Sequence, residues 1–375
     1  MRVDIDILDW TSVSPLGSSK EEIWAAYLSK EHRISALESG PGAALTQWES
    51  DVLEHIAAEN NKYRSLDRSV LMAIKAARDL FNVDSGCGIN IGSSRGATSL
   101  FEEHFDEFIK TGKTSPLASP STTLGNLSSW VAQDLTTNGF TMSHSITCST
   151  ALHSIANAAA WLNAGFSTQF IAGGSEAPLT PFTLAQMQSM RIYAENATDE
   201  YPCKSLDLDK VRNSMVLGEG CGLFLFEKNS PVKIASVAAI GFATEPITHG
   251  SSISDNGESL EKAMRMALDG YDLQEIDAIV MHAPGTIKGD QAELYAIGNI
   301  FGENEPLITS NKWKIGHTLG ASGALSMEFA LLMMTCDTFI DLPWNDEFVR
   351  PAKLNKVLVN AVGFGGNAVS VLLEK

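Results

Sequence analysis

The sequence predicts an α/β protein of two similar halves, two mixed sheets with helices packed between and outside them. Three observations point there. Strand-like and helix-like apolar patterns alternate along all 375 residues. Each half closes on a Gly-containing turn followed by a strand, GEGCGLFLFEK in the first and GFGGNAVSVLLEK in the second, which suggests a duplicated unit. Finally, Cys148, His282 and His317 each stand where a strand gives way to a turn or helix. The expected halves are 1–228 and 229–375, joined through NSPVK.

Taken in order, DILDWTSVSPLGSS and KEEIWAAYL read as strand, turn and helix, followed by a less patterned polar segment to about Tyr63. DRSVLMAIKAARDL has helical spacing, with Val70, Leu71, Ile74 and Ala77 on one face. GCGINIGSSRGATSLFEEHFDEF is a short strand, a turn at Gly92–Gly96 and a helix; it carries neither GxxxxGK nor GxGxxG. Residues 113–127, rich in Ser, Thr, Pro and Gly, read as a loop. The stretch from Thr141 to Thr180 then gives a strand ending at Cys148, an Ala-rich helix stopped by Gly165, and a second strand that breaks at Gly173-Gly174. From Gln186 to Arg212 the pattern is irregular. SMVLGEGCGLFLFEK supplies two apolar runs around a Gly-Glu-Gly turn. The second half reads as strand (KIASVAAIGFAT), helix (SLEKAMRMALDGY), strand (IDAIVMHAPGT), helix (DQAELYAIGNIFG), strand with Gly-rich turn and long apolar helix (PLITSNKWKIGHTLGASGALSMEFALLMM), and a closing strand pair.

Composition narrows the function. With 44% hydrophobic residues and mean hydropathy of −0.01 the chain suits a globular protein. No apolar run is long enough for a bilayer span, and MRVDIDILDW lacks a signal-peptide profile. Five cysteines without close pairs fit a reducing compartment, so the expected location is cytoplasmic. A net charge of −18 argues against nucleic acid as a partner but leaves room for a local basic patch.

Cys148 immediately precedes a helix, where free N–H groups and the positive dipole end favour a thiolate, and where its own N–H can face a developing oxyanion. A buried cysteine packed as a small hydrophobe fits the same position. Metal binding by Cys148 with two histidines has long spacing and lacks a second cysteine or an HxxxH nearby and a carboxylate cluster to join them. A Cys-His hydrolase needs only one histidine as base. Two histidines in matching turns suit another task, two hydrogen-bond donors on one carbonyl that stabilise an enolate as it forms.

ITCSTALHSI, HAPGTIKGDQAE, SNKWKIGHTLGASGA and NAVGFGGNA resemble the four signature blocks of the β-ketoacyl-ACP synthases, in order and across nearly the whole chain. VSPLG, Asp67-Arg68, AGGSEA and LGEGCG add to the likeness. Two histidines resemble the Cys-His-His elongating type rather than thiolases or initiating synthases. The resemblance implies a thiolase-like fold in a layered αβαβα arrangement and decarboxylative condensation of malonyl carrier with a Cys-bound acyl group. Cys148 would be the nucleophile, His282 and His317 the carbonyl-holding pair, and Lys312 the active-site lysine. Phe364 would be the gating residue whose N–H joins that of Cys148 in the oxyanion hole. Thr286 would line the pantetheine tunnel, and Arg95 and Gly365 would border the substrate. No dissociable cofactor and no metal is implied. The implied partners are an acyl carrier protein, docked on bases such as Lys204, Lys210, Arg212 or Lys314, and a second subunit, either a copy or a chain-length-factor-like chain, joined through the first-half sheet.

The sequence departs from that family in places. HAPGT puts Pro284 where a pantetheine-contacting threonine is usual, and Ser326 replaces the glutamate that partners the lysine. Asn367 and Val362 alter the last block, LDLDKVRNS keeps only Asp209 and Arg212 of its region, and Arg95 stands where a small or apolar residue is usual. With the short segment after the last long helix, these changes suggest a specialised synthase of aryl-polyene or related polyketide type. A length-determining subunit without catalysis, and a thioesterase or acyltransferase using Cys148 and one histidine, are the other readings.

Overall fold

The computed structural model describes residues 1–124, 126–246 and 254–375. The first half contributes strands β1 (Arg2–Val13), β2 (Gly88–Gly92), β3 (Thr141–Met142), β4 (Gln169–Glu176) and β5 (Gly220–Glu227). The second contributes β6 (Ala235–Thr244), β7 (Ala278–Val280), β8 (Leu307–Thr309), β9 (Lys356–Gly363) and β10 (Asn367–Glu374). The first half runs β1-β5-β4-β2-β3 across the sheet and the second β6-β10-β9-β7-β8. In each half the first two pairings are antiparallel and the last two parallel. The second half thus repeats the first, strand for strand.

The expected two sheets are hydrogen-bonded into one of ten strands. β1 pairs antiparallel with β6, Ile5 opposite Val237, because each half ends its order on a long strand with a free edge. Helices α1 (Arg68–Arg78), α2 (Thr98–Thr111), α3 (Asn126–Asp134), α4 (Thr150–Asn163) and α5 (Pro181–Ser189) belong to the first half, and α6 (Glu258–Ala267), α7 (Ile287–Phe301) and α8 (Ser322–Thr335) to the second. α4 touches β2, β4 and β10, α8 touches β9, β5 and β4, and the two touch each other, so both lie between the half-sheets. α1 and α3 cover the outer face of the first half, and α6, backed by α7, that of the second.

The sequence dictates these places. α8 is mostly apolar with no exposed polar face and is buried from Ser322 to Met334, Ser326 and Glu328 included, which only a central helix allows. Each fully buried Leu, Met or Phe there contributes roughly 1.5–3 kcal/mol. α1 is amphipathic and capped by Asp67, whose carboxylate accepts from Ser69 N, while Arg68 forks onto Glu219 at 2.8 and 3.0 Å.

Four local expectations are corrected. The polar segment before Tyr63 contains a helix, Gln47–Glu59, capped by Thr46; it buries only Glu49, Leu53 and Ile56, a stripe too thin to see in the pattern. Within 113–127, of which residue 125 lies outside the described residues, Ala118–Thr122 forms a short helix. The strand before Cys148 ends at Met142, and five residues of irregular chain separate the two. β4 does not break at Gly173-Gly174 but runs through to Glu176: a Cβ on Gly174 would stand 2.7 Å from the Gly320 carbonyl, so the glycines admit a neighbouring turn rather than end the strand.

Candidate active site

Cys148, His282 and His317 line one cavity of about 360 Å³, with Met187, Met190, Met215 and Ile192 making its walls largely apolar. Thr147, at φ of 48°, precedes Cys148, Ala283, at 26°, follows His282, and Leu319, at 42°, lies two residues past His317. Non-glycine residues hold such conformations only where the surroundings over-determine them.

The surroundings are visible in each turn. Thr150, in the first turn of α4, accepts from Ile146 N at 2.8 Å and donates to Thr147 O at 2.6 Å, closing the elbow before Cys148. Thr147 donates its hydroxyl to the Phe364 carbonyl at 3.1 Å, tying the elbow to the turn after β9. After β7, Glu293 on α7 accepts from His282 N and Ala283 N at 3.0 and 2.9 Å, and Asp290 accepts from Gly285 N at 3.0 Å. His317 N donates to Val216 O at 2.6 Å, in a bridge with the strand Leu217–Gly218.

The His282 and His317 rings are buried, 5.0 Å apart between centroids and nearly perpendicular at 86°. Burial holds both neutral. His282 lies well below the ordinary imidazole value, burial first, then His317 and Lys312; His317 is pushed down to about 3 by burial and by Lys312.

Cys148 is buried, and burial followed by Glu176 pushes its thiol up to about 12, against the pull of Lys312 and of the N–H groups of Cys148 and Phe364. The expected thiolate is therefore corrected to a thiol at neutral pH, because helix-end donors are outweighed by loss of water. The two N–H groups that face the sulfur are those of Cys148 and Phe364.

Lys312 is buried, donates to Ser326 Oγ at 2.9 Å and Asn311 Oδ1 at 3.1 Å, and burial lowers it to about 8 while Glu293, Cys203, Cys148 and Asp290 pull it up. Its charge faces Cys148 and both histidines. Phe364 and Thr286 line the cavity; the Thr286 hydroxyl also caps α7, accepting from Gly289 N. Pro284 and Asn213 line it as well, and Lys288, which pairs with Asp255 at 2.6 Å, stands half-exposed on its wall.

Other expected positions fall elsewhere. Arg95 and Gly365 are not among the lining residues. The Arg95 guanidinium donates to Gln186 on α5, on the same helix as Met187, and its N–H donates to Glu176. Gly365 sits one residue past Phe364 with φ of 92° and turns the chain into β10. Lys210 and Lys314 are buried, so neither offers a docking charge. Lys210 is ion-paired with Asp290 at 2.7 Å, and Lys314 donates to the carbonyls of Ala26, Ser29 and Glu31. Lys204 and Arg212 are exposed.

The sequence reading passed over Asp290, Glu293 and Glu176. Glu176 accepts from the Ser93 hydroxyl and from the N–H groups of Ser94, Arg95 and Gly320, joining the β2 turn to the His317 turn. The available signal was acidic side chains three apart on the inward face of a helix opening directly after a histidine turn.

A repeated five-strand order with its reactive turns gathered at one cavity is the thiolase-like architecture. Solved ketosynthases share it over the full length of this chain. One, a type II PKS ketosynthase in complex with its acyl-carrier protein and bound to the hexaketide, superposes with TM-score 0.87 at 18% identity, each chain covered 100%. The ishigamide ketosynthase/chain length factor gives 0.86 at 19%, also with 100% coverage of both chains. The chain belongs to the β-ketoacyl synthase family, transferases that form carbon–carbon bonds: the models for the N-terminal and C-terminal domains of beta-ketoacyl synthase match residues 5–231 and 234–341. Relatives include the 3-oxoacyl-[acyl-carrier-protein] synthase 2 of Coxiella burnetii, 27% identical over 97% of this chain and 96% of the relative. That of Staphylococcus aureus strain COL is 25% identical with the same coverage. No helix among the described residues is long and apolar enough to cross a membrane.

Proposed function

We propose that the protein elongates a carrier-bound acyl chain by condensing it with a malonyl carrier, as a 3-oxoacyl-[acyl-carrier-protein] synthase. The observation that carries this reading is the neutral His282–His317 pair, 5.0 Å apart and opening on the same cavity as Cys148. A hydrolase would need one histidine charged in turn; two neutral donors fit an enolate.

In the first step Cys148 Sγ attacks the acyl thioester, the C–S bond to the carrier breaks, and the thiol proton leaves with the carrier thiol. The N–H groups of Cys148 and Phe364 receive the oxyanion. In the second, the malonyl C–CO₂ bond breaks, CO₂ departs and His282 and His317 hold the enolate oxygen. The enolate carbon then attacks the acyl-Cys148 carbonyl, a C–C bond forms, the C–S bond to Cys148 breaks, and the thiolate released takes a proton from water. Lys312 steadies negative charge in both steps. No metal or dissociable cofactor enters this sequence.

The apolar walls suit an acyl chain, and three methionines adapt to varied shapes. The narrower reading, an aryl-polyene or polyketide-type primer, draws support from Pro284, Ser326 and those methionines, while Arg95, turned to Gln186, no longer argues for it. Carrier docking falls to exposed bases, Lys204, Arg212 and the wall residue Lys288. A second copy of this chain is the partner we infer for the exposed apolar face of α2.

Intact-mass analysis of acyl and malonyl carriers mixed with the protein tests the reaction. A two-carbon extension lost in Cys148→Ala supports it, and acyl-Cys148 without extension or CO₂ points to a transferase. Equal use of saturated and aryl-enoyl primers would count against the narrower reading.

A further inference from the structure

Lys312 hydrogen-bonds no carboxylate, for Ser326 stands where the resemblance leads one to expect a glutamate, yet a buried carboxylate lies two residues further along the helix, on another face. Glu328 is on the same helix, α8, and is 1% exposed. Between the two runs a line of hydrogen bonds in a single direction. Lys312 Nζ donates to Asn311 Oδ1 at 3.1 Å, Asn311 Nδ2 donates to the Tyr27 hydroxyl oxygen at 3.3 Å, and Tyr27 donates to Glu328 Oε1 at 3.4 Å. Asn311 is pinned by a second bond from Nδ2 to Leu325 O at 3.0 Å, and the Tyr27 ring packs on Phe329 at 4.5 Å. Burial holds Tyr27 protonated well above its usual range, so it remains a donor.

A chain whose every member donates the same way is polarised by a cation at its head and an anion at its tail, and each bond strengthens the next. Burial pushes the Glu328 carboxyl up to about 7, so the tail is an anion above that pH. We propose that Lys312 and Glu328 are the two ends of one buried relay through Asn311 and Tyr27, which keeps the ammonium charged and directed at Cys148 and the two histidines. Tyr27, Asn311 and Glu328 are then positioning residues acting through Lys312.

The groups facing Lys312 are Cys148, His282, His317, Cys203 and, from α7, Asp290 and Glu293; those facing Glu328 are Tyr27 and Ser12. The carboxylate acts on the ammonium through the bond line alone: cutting the line leaves Asn311 Oδ1 a less polarised acceptor beside the attractions of Glu293, Cys203, Cys148 and Asp290, so the ammonium gives up its proton at a lower pH. With Lys312 neutral, the Cys148 thiolate loses its nearest cation.

The test reads the Cys148 thiol and rests on the proposed condensation only in treating that thiol as the nucleophile. Iodoacetamide alkylation of Cys148 is followed by mass spectrometry from pH 6 to 10 in the full chain, with exposed Cys336 replaced by Ser. At pH about 7.5, Tyr27→Phe and Glu328→Gln are each expected to slow alkylation by up to about threefold, since a drop of one pKa unit from about 8 takes the charged fraction of Lys312 from about three quarters to about one quarter. The deficit should vanish above pH about 9, where Lys312 is neutral in the parent as well; a merely structural defect would persist. Adding Ser326→Glu to Glu328→Gln, which sets a carboxylate directly beside Nζ, should restore the rate. Tyr27→Phe removes a single oxygen and carries the test if Glu328→Gln does not fold. Superimposable pH profiles of Tyr27→Phe and parent would overturn the relay, whatever the condensation assay gives.

Discussion

Thr147 occupies the place where a side chain on Gly363 would stand. A Cβ there would lie 1.9 Å from Thr147 Oγ1 and 2.8 Å from Cys148 N, so the end of β9 can press against the cysteine elbow only as glycine. That approach brings the Phe364 N–H to the sulfur. Gly363→Ala must push the two apart, at a cost of roughly 1–3 kcal/mol. Displacing one oxyanion donor by about 1 Å is expected to slow Cys148 acylation about 100-fold. Stopped-time mass analysis of acyl transfer, beside a thermal melt, separates the two effects.

The histidine pair predicts a pH dependence with a definite sign. His317, at about 3, is neutral in the folded chain where the unfolded chain, near 6.5, takes up a proton. A group depressed in this way binds fewer protons folded than unfolded, so stability falls as pH drops below about 6.5. His317→Gln removes that loss: between pH 7 and pH 5 its urea midpoint should fall less than the parent's. The same variant should lose roughly 100- to 1,000-fold in malonyl decarboxylation while Cys148 still accepts an acyl group.

Lys210 predicts a stability effect where the sequence suggested a docking one. Its ammonium is sealed against Asp290, and the same carboxylate holds Leu206 N and Gly285 N, so the turn after His282 depends on it. Lys210→Met strands a buried charge and should cost about 3–5 kcal/mol in urea unfolding. Arg212→Ala, which breaks only exposed pairs with Glu195 and Asp199, should cost under about 1 kcal/mol. If Lys210→Met instead raised the KM for carrier at unchanged stability, the docking reading would return.

What could be read from the sequence was what local pattern determines. Cys148, His282 and His317 were legible because reactive side chains at turn boundaries stand out, and strand–helix alternation fixed the class. The β1–β6 junction was not, since it depends on which long strand lies free at the edge of each half. Burial was equally invisible: Lys314 looks like a surface lysine until three carbonyls close on it, and Cys148 looks like a thiolate until water is removed and Glu176 is placed nearby. The helix Gln47–Glu59 escaped because, of its apolar residues, only Leu53 and Ile56 are buried, Trp48 stands exposed, and acidic and polar residues interrupt the rest.

The face of α2 gives the last prediction. Phe101, Phe105, Phe108 and Ile109, spaced along one side of the helix, are between 49% and 65% exposed, and the sheet of the same half ends in the two-residue edge strand β3. Four large apolar side chains in a row form a contiguous patch of the kind monomers seldom leave bare. An open edge adds unpaired backbone groups that an identical edge can satisfy across a twofold axis. Both features lie in the half that carries Cys148. A second copy covering this face predicts a dimer by light scattering. The double variant Phe101→Asp/Phe105→Asp should yield folded monomers at micromolar concentration. A parent chain that is monomeric at the same concentration would leave the patch to a different subunit, and co-purification with a chain lacking the elbow cysteine would identify it.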